Sequence, residues 1–332
     1  MKKIIALILS LVMTLSLAAC GAKEPAETPT GCYSFDVAII QQLDHSSLDE
    51  IRTAIEERLK ELGEESEIPV QFNITYDNGQ NDTSMLTQIA TQVVSDAPDM
   101  IIPIATLAAQ YSVLAAENTD IPIVYAAISD PEGAGLTGLA NVTGVSDALN
   151  TPFILDMMLA AQPDVKTVGL LYSTSEINSL TPIAQAKEYL DSKGIAYIEK
   201  TGTTTGEITE AAASLVGRVE AVFTPTDNAV MAAEASVAEL LNAAGIAHYT
   251  GADSFVQSGA FTTCGVNYTE LGTKSADIAF DILMGGEIGE FVVMDGGIIT
   301  VNTDTAAACG IDYGVFNSMA NTVNAVTTTV DE

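Results

Sequence analysis

From Phe35 onward, short apolar runs alternate with longer stretches whose apolar residues recur every three or four positions. "FDVAIIQ" (35–41) reads as a buried strand. The stretch over 46–63 predicts a helix with Leu48, Ile51, Ile55, Leu59 and Leu62 on one face, opened by a Ser47/Glu50 capping box and stopped by Gly63. "VQFNITY", a helix over 84–94, "DMIIPI", a helix over 106–116 and "IPIVYA" continue the alternation, the pattern of βαβ winding on a parallel sheet. A polar, Gly-rich passage over 129–147 interrupts it, and the rhythm then restarts. The second series comprises helices over 152–161, 182–192, 206–216 and 228–244, with strands "KTVGLLY", "IAYIEK" and "VEAVFTP" between them. A strand and one long helix over 259–286 are too small for a domain of their own. Two α/β lobes joined near 145 are the simplest architecture, with a ligand expected beyond the carboxyl ends of the strands.

The first residues do not fit this rhythm. Lys2 and Lys3 precede an apolar stretch over 4–17, too short to span a bilayer comfortably, and small residues end at Cys20. Residues 1–19 thus read as a secretory signal, and Leu17-Ala18-Ala19-Cys20 looks like a bacterial lipobox. Cys20 would then be the lipidated first residue of a Pro/Glu/Thr tether over 20–32, leaving the protein anchored on the extracytoplasmic face of the cell membrane.

The chain of 332 residues is long enough for two domains of about 150 residues each. Its 44 acidic against 12 basic residues give a formal charge of −32, which repels nucleic acid and anionic lipid headgroups. Apart from Cys20, the cysteines are Cys32, Cys264 and Cys309, an odd number without metal-ligand spacing. The two histidines, His45 and His248, lie far apart in the chain, and neither a nucleophile elbow nor a phosphate-binding glycine motif is present. No metal and no cofactor is expected. A cell-envelope hydrolase is the weaker alternative to a binding protein.

Several motifs fall in order at the strand ends: "NGQNDTSMLTQIATQVV", "IATLAAQ", "AAISDPEGAGL", "NVTGVSD", "LLYSTSEINS", "FTPTDNAV" and "GVNYTELG". Together they resemble the lipoprotein substrate-binding components of ABC importers, in the family similar to tryptophan and tyrosine transport binding proteins. The resemblance implies a two-lobed type I periplasmic-binding-protein fold, each lobe a parallel sheet flanked by helices, with three crossovers. The first lobe would comprise 35–145 plus 265–292, the second 146–264 plus 293–316, and a tail 317–332. It also implies ABC permease subunits as partners.

Loops after the strands supply the candidate ligand-binding residues. These are Gln41, His45, Thr106 and Asp130 from the first lobe, then Ser175, Glu176, Asn178, Ser179, Asp227 and Asn228 from the second, with Asp253 and Asn267 near a crossover. Thr106, Ser179 and Asp227 could equally be helix N-caps. A phosphate or dicarboxylate would call for an arginine fork, and the three arginines, Arg52, Arg58 and Arg218, sit away from these loops. A zwitterion asks for less. Ser175, Asn178, Ser179 and Thr106 could meet its carboxylate, and Asp227 its ammonium. An amino acid, an aromatic one by the family resemblance, is therefore the expected ligand. Sugars or nucleosides are the alternative, although the stacking Trp that a sugar site favours is missing. A sensor that signals to another membrane protein would use the same residues.

Overall fold

The computed structural model describes residues 32–329, so the expected signal, Cys20 and most of the tether lie outside the described residues. The first half runs β1 (Tyr33–Gln41), α1 (Ser46–Glu65), β2 (Val70–Asn78), α2 (Thr83–Asp96), β3 (Met100–Ile104), α3 (Thr106–Ala115), β4 (Ile123–Ala126) and β5 (Val142–Ser146). The second runs α4 (Thr151–Ala161), β6 (Thr167–Tyr172), a 3-10 turn (Ile177–Ser179), α5 (Leu180–Lys193), β7 (Ala196–Thr201), α6 (Thr205–Ala213), β8 (Ala221–Thr224), α7 (Asn228–Met231), α8 (Glu234–Ala243) and β9 (Ala247–Thr250). Then follow α9 (Asp253–Gln257), β10 (Thr262–Gly265), α10 (Tyr268–Leu283), β11 (Val292–Val293), β12 (Ile298–Asn302), α11 (Thr303–Cys309), a 3-10 turn (Gly314–Ser318) and β13 (Thr322–Val326).

These strands make two sheets, ordered β11-β5-β4-β3-β1-β2 and β13-β12-β10-β9-β8-β6-β7. Pairing is parallel except between β10 and β12. The central strands are buried along their whole length, β3, β4, β8 and β9 among them, which is why they read as continuous apolar runs. The chain passes between the sheets after β5, after β10 and after β11. Helix α10 returns to the first sheet, packing on α1, where Arg58 Nε donates to Asp277 Oδ1 at 2.9 Å. Each sheet with its flanking helices forms one lobe.

Local expectations fail in four places. The Ser47/Glu50 capping box does not form: His45 is the N-cap of α1 without a side-chain bond, Ser47 Oγ donates to Asp253 Oδ1 at 3.0 Å, and Glu50 accepts from the Thr269 backbone N–H at 3.0 Å. Tertiary contacts have taken both groups from the local cap. Gly63 does not stop α1, which continues to Glu65; a Cβ there would lie 2.4 Å from Val70 O, so the glycine allows close approach to β2. The helix expected over 228–244 breaks at Ala232 and Ala233, and the new helix begins with Glu234 turned inward, its Oε1 2.9 Å from His248 Nδ1. Part of the expected tail, residues 322–326, is an edge strand on β12. Met157, Met158 and Cys264 are buried, and Cys264 and Cys309 form no disulfide among the described residues.

Candidate functional site

The carboxyl ends of the strands in the two lobes face each other across a narrow, partly open cavity of about 30 Å³. His45 follows β1, Thr106 follows β3, Ala127 and Ser129 follow β4, and Asp147 follows β5. Asn178 follows β6, Thr226, Asp227, Asn228 and Met231 follow β8, and Ser254 and Phe255 follow β9. A wider recess of about 570 Å³ open to solvent lies beside it, its wall including Gly265, Gly296 and Gly297, and shares Asp147 and Tyr268 with the cleft.

Two alanines in the cavity wall have left-handed backbones, Ala105 at φ 73° and Ala127 at φ 58°. For a residue with a Cβ this costs on the order of 1–2 kcal/mol. They end adjacent strands, and the Ala105 N–H donates to Ala126 O at 3.0 Å. The Ala105 turn brings the N-terminus of α3 to the cavity wall, an arrangement favourable to a ligand's negative charge.

Hydrogen bonds clasp the lobes. Gln42 Nε2 donates to Glu176 Oε1 at 2.8 Å, Ser129 Oγ lies 2.7 Å from Thr226 Oγ1, and Thr181 Oγ1 donates to Asp130 Oδ2 at 2.6 Å. His45 Nε2 faces Asn228 Oδ1 at 3.3 Å, while Asn228 Nδ2 donates to Glu176 Oε2 at 3.1 Å. Gln42, Glu176, Asn228 and His45 thus form a chain that leaves the first lobe, crosses the second and returns.

Burial sets the electrostatics. It pushes the Glu176 carboxyl up to about 8, with the charge of Asp227 adding to the effect. It pushes Asp147 up to about 6 against the bonds from Ser129 and Tyr268, and raises Asp227 and Asp253 above the usual carboxylate range. The His45 imidazole is pushed down to about 4 and is neutral at pH 7, despite the bond to Asn228 and the charges of Asp49 and Asp44. The cavity wall contains no Lys or Arg.

Of the candidates from the sequence, His45, Thr106, Asn178, Asp227 and Asn228 line the cavity. Asp227, expected to meet an ammonium, has both oxygens engaged: Oδ1 accepts from the Val230 N–H at 2.9 Å, and Oδ2 from the Ser173 N–H and Ser179 Oγ, each at 2.6 Å. It caps α7 and ties the 173–179 loop to it. Ser179 is spent on Asp227, and Ser175 Oγ lies 2.7 Å from Ser173 Oγ, away from the cavity wall. Glu176 and Asp130 are cross-lobe clasps. Gln41 Nε2 turns to Asp49 Oδ1 at 2.8 Å, Asp253 accepts from Ser47, and Asn267 caps α10 by accepting from the Glu270 N–H at 2.9 Å.

Sequence reasoning missed Gln42, Ser129, Asp147, Thr226, Ser254, Phe255 and Tyr268. Ser129, Thr226 and Tyr268 sit inside the quoted strand-end motifs, one residue from positions that were singled out, and Asp147 ends another of those motifs. Nothing in the sequence marks the positive φ of Ala105 or Ala127, because alanine carries no such signal. Among the cavity atoms, His45 Nδ1, Asn178 Oδ1 and Ser254 Oγ are buried with no hydrogen-bond partner among the described residues. Buried polar groups are rarely left so, and such groups at a cleft mark where a ligand's polar atoms belong.

The chain matches the family described as "ABC transporter substrate binding protein" over residues 36–315. It is 31% identical over 321 residues, 92% of each protein, to a protein of Clostridioides difficile named tyrosine-binding protein. Among solved structures, one from Streptococcus pneumoniae described as an ABC domain in complex with L-Trp has a TM-score of 0.80 at 28% identity, covering 87% of this chain and 99% of that one. The ligand-free, open structure of a substrate binding protein with adhesive properties from Clostridium difficile has a TM-score of 0.66 at 31% identity, covering 89% and 100%. The better superposition falls on the liganded relative although identity is higher to the open one, in keeping with lobes clasped shut.

Proposed function

Because the chain belongs to the ABC transporter substrate binding protein family, we propose that it captures an amino acid, an aromatic one such as tyrosine or tryptophan, in the cleft cavity and delivers it to an ABC importer. The observation that carries this reading is the inter-lobe cavity, where His45 Nδ1, Asn178 Oδ1 and Ser254 Oγ are buried without partners among the described residues and whose wall holds carboxylates but no cationic side chain. A dicarboxylate or phosphate would find no arginine fork there. A zwitterion finds the α3 N-terminus and the Ser254 hydroxyl for its carboxylate, acidic walls at Asp147 and Asp227 for its ammonium, and apolar surface at Leu48, Met231 and Phe255 for its side chain. The names of the tyrosine-binding and tryptophan-bound relatives support the aromatic choice. The protein acts by binding and release, without chemistry on the ligand.

Thermal melting and calorimetric titration against the twenty L-amino acids test this. Tyrosine or tryptophan should raise the melting temperature and be recovered unchanged after prolonged incubation. Binding of sugars or nucleosides but of no amino acid would overturn the reading, and turnover of the ligand would make the protein an enzyme.

The placement on the outer face of the membrane belongs to the same proposal. Its motive is the Leu17-Ala18-Ala19-Cys20 box after an apolar run. Cys20→Ala should move the protein from the membrane fraction to the soluble one, and retention in the membrane would place the anchor elsewhere.

A further inference from the structure

Two buried acceptors in the cleft remain after their neighbours are assigned, and the hydrogen bonds around them fix their sense. Asn178 Nδ2 donates to the Thr226 carbonyl at 2.6 Å. A carbonyl only accepts, so the amide cannot be turned over, and Asn178 Oδ1 is an acceptor without a partner among the described residues. Asn178 is 3% exposed.

His45 is set at one remove. With Glu176 Oε2 acting as an acceptor, Asn228 donates its Nδ2 to it, which leaves the Asn228 amide oxygen facing His45 Nε2. An amide oxygen only accepts, so Nε2 carries the proton, and the neutral ring holds its lone pair on Nδ1. His45 is partly exposed as a residue, yet Nδ1 is sealed from solvent and has no partner among the described residues. One neutral acceptor thus comes from each lobe to the same cavity, whose wall also carries Asp147 and Asp227.

We propose that the ligand's ammonium donates N–H bonds to Asn178 Oδ1 and His45 Nδ1, joining the two lobes, with Asn228 as the positioning residue that sets the His45 tautomer. This rests on the amino-acid reading above and names the groups that read the amine. Acidic side chains supply the field that favours a cation, and neutral acceptors supply the directional contacts, because both Asp227 oxygens are occupied within its own lobe. Protonation of His45 Nδ1, or a change of tautomer, would turn an acceptor into a donor aimed at the ligand's own donors. An acid lacking the amine would leave both acceptors buried and unpaired.

Nitrogen NMR of the full chain labelled in histidine tests this directly, since His45 and His248 are its two histidines and His45→Gln assigns them. The probes are L-tyrosine, L-tryptophan and the matching arylpropanoic acids without the amine. In the free protein His45 should show the Nε2–H tautomer. The amino acids should shift its Nδ1 signal to lower frequency and leave Nε2 in place, and the arylpropanoic acids should leave Nδ1 unmoved and bind at least roughly tenfold more weakly. Asn228→Ala should mix the two tautomers and weaken the amino acids by roughly tenfold. A proton on Nδ1 in the free protein, as would follow if the Asn228 amide were turned over, overturns the proposal. So does an amino acid that binds without moving Nδ1. If neither amino acid binds at all, the aromatic amino-acid reading itself falls, and this inference with it.

Discussion

Gln42 Nε2 reaches across the cleft to Glu176 Oε1 at 2.8 Å, and the same amide is anchored by the Leu107 N–H on its oxygen at 3.0 Å and by Asn81 Oδ1 at 2.8 Å. Both Gln42 and Glu176 are fully buried, so the closed arrangement holds a polar contact that opening would hydrate and closing must remake. Gln42→Ala leaves the Glu176 carboxyl and the Leu107 N–H without this partner, at a cost of about 1–3 kcal/mol to the closed state. Small-angle scattering should show a larger radius of gyration than wild type without ligand, and affinity for the bound amino acid should fall by roughly tenfold. Unchanged scattering and affinity would mean that the clasp does not govern closure.

Glu176 also makes stability depend on pH. Its folded value of about 8 stands above the ordinary 4.5, so the folded chain binds this proton more tightly than the unfolded chain does. The stability it contributes is whole below about pH 4.5 and drains away as pH rises through about 8. Asp147 acts with the same sign in a lower window, from its ordinary 3.8 to about 6. Denaturant unfolding of the ligand-free protein should therefore give lower stability at about pH 8.5 than at about pH 6, and Glu176→Gln should flatten that span while leaving the lower window in place. An equal slope in the variant would assign the effect to other groups.

The two-lobe α/β plan was legible because buried parallel strands and amphipathic helices leave different periodicities. The return of α10 and β11 to the first sheet was legible only through family resemblance, since nothing local in 268–293 states which sheet it joins. Site residues were half legible for the same reason. Strand ends can be located to within a residue or two, but which of Gln41 and Gln42 crosses the cleft is decided by the pleat: Gln41 turns to Leu43 O and Asp49, and Gln42 to Glu176. Ser47, Glu50 and Asp227 show the converse limit. Their residue types suit both caps and ligands, and only tertiary partners decide: Asp253 and Thr269 draw the first two away from a cap, while Val230, Ser173 and Ser179 occupy the third.

Asp227 should accordingly behave as a structural acid. Asp227→Ala removes a helix cap and strands the Ser173 N–H and the Ser179 hydroxyl, which should lower ligand-free stability by about 2–4 kcal/mol. Asp227→Asn keeps the acceptor for the Val230 N–H and should recover part of that loss. Calorimetric titration of Asp227→Asn should show affinity within about tenfold of wild type, since only its field acts on the ligand. A collapse of binding with stability intact would restore Asp227 as the direct partner of the ammonium.

The last prediction concerns a pair behind the cavity. Glu234 Oε1 lies 2.9 Å from His248 Nδ1, His248 Nε2 lies 2.8 Å from Thr224 Oγ1, and Glu234, His248 and Thr224 are fully buried. The break between α7 and α8 is what turns Glu234 inward to make this contact, and the His248 ring meets the Phe255 ring edge-on at a centroid distance of 6.4 Å. Phe255 in turn forms part of the cavity wall. Removing one member of a buried pair leaves the other without its counterpart, so Glu234→Ala should destabilise the protein by about 3–5 kcal/mol, whereas Glu234→Leu combined with His248→Phe, which refills the space with apolar groups, should cost much less. Because the wall depends on the ring beneath it, Glu234→Ala should also weaken an aromatic ligand, and the double variant should restore that affinity through a ring packed against Phe255. Melting and calorimetric titration of the two variants separate the contributions: a double variant as unstable as Glu234→Ala would show that the polar network, not the packing it supports, holds the wall in place.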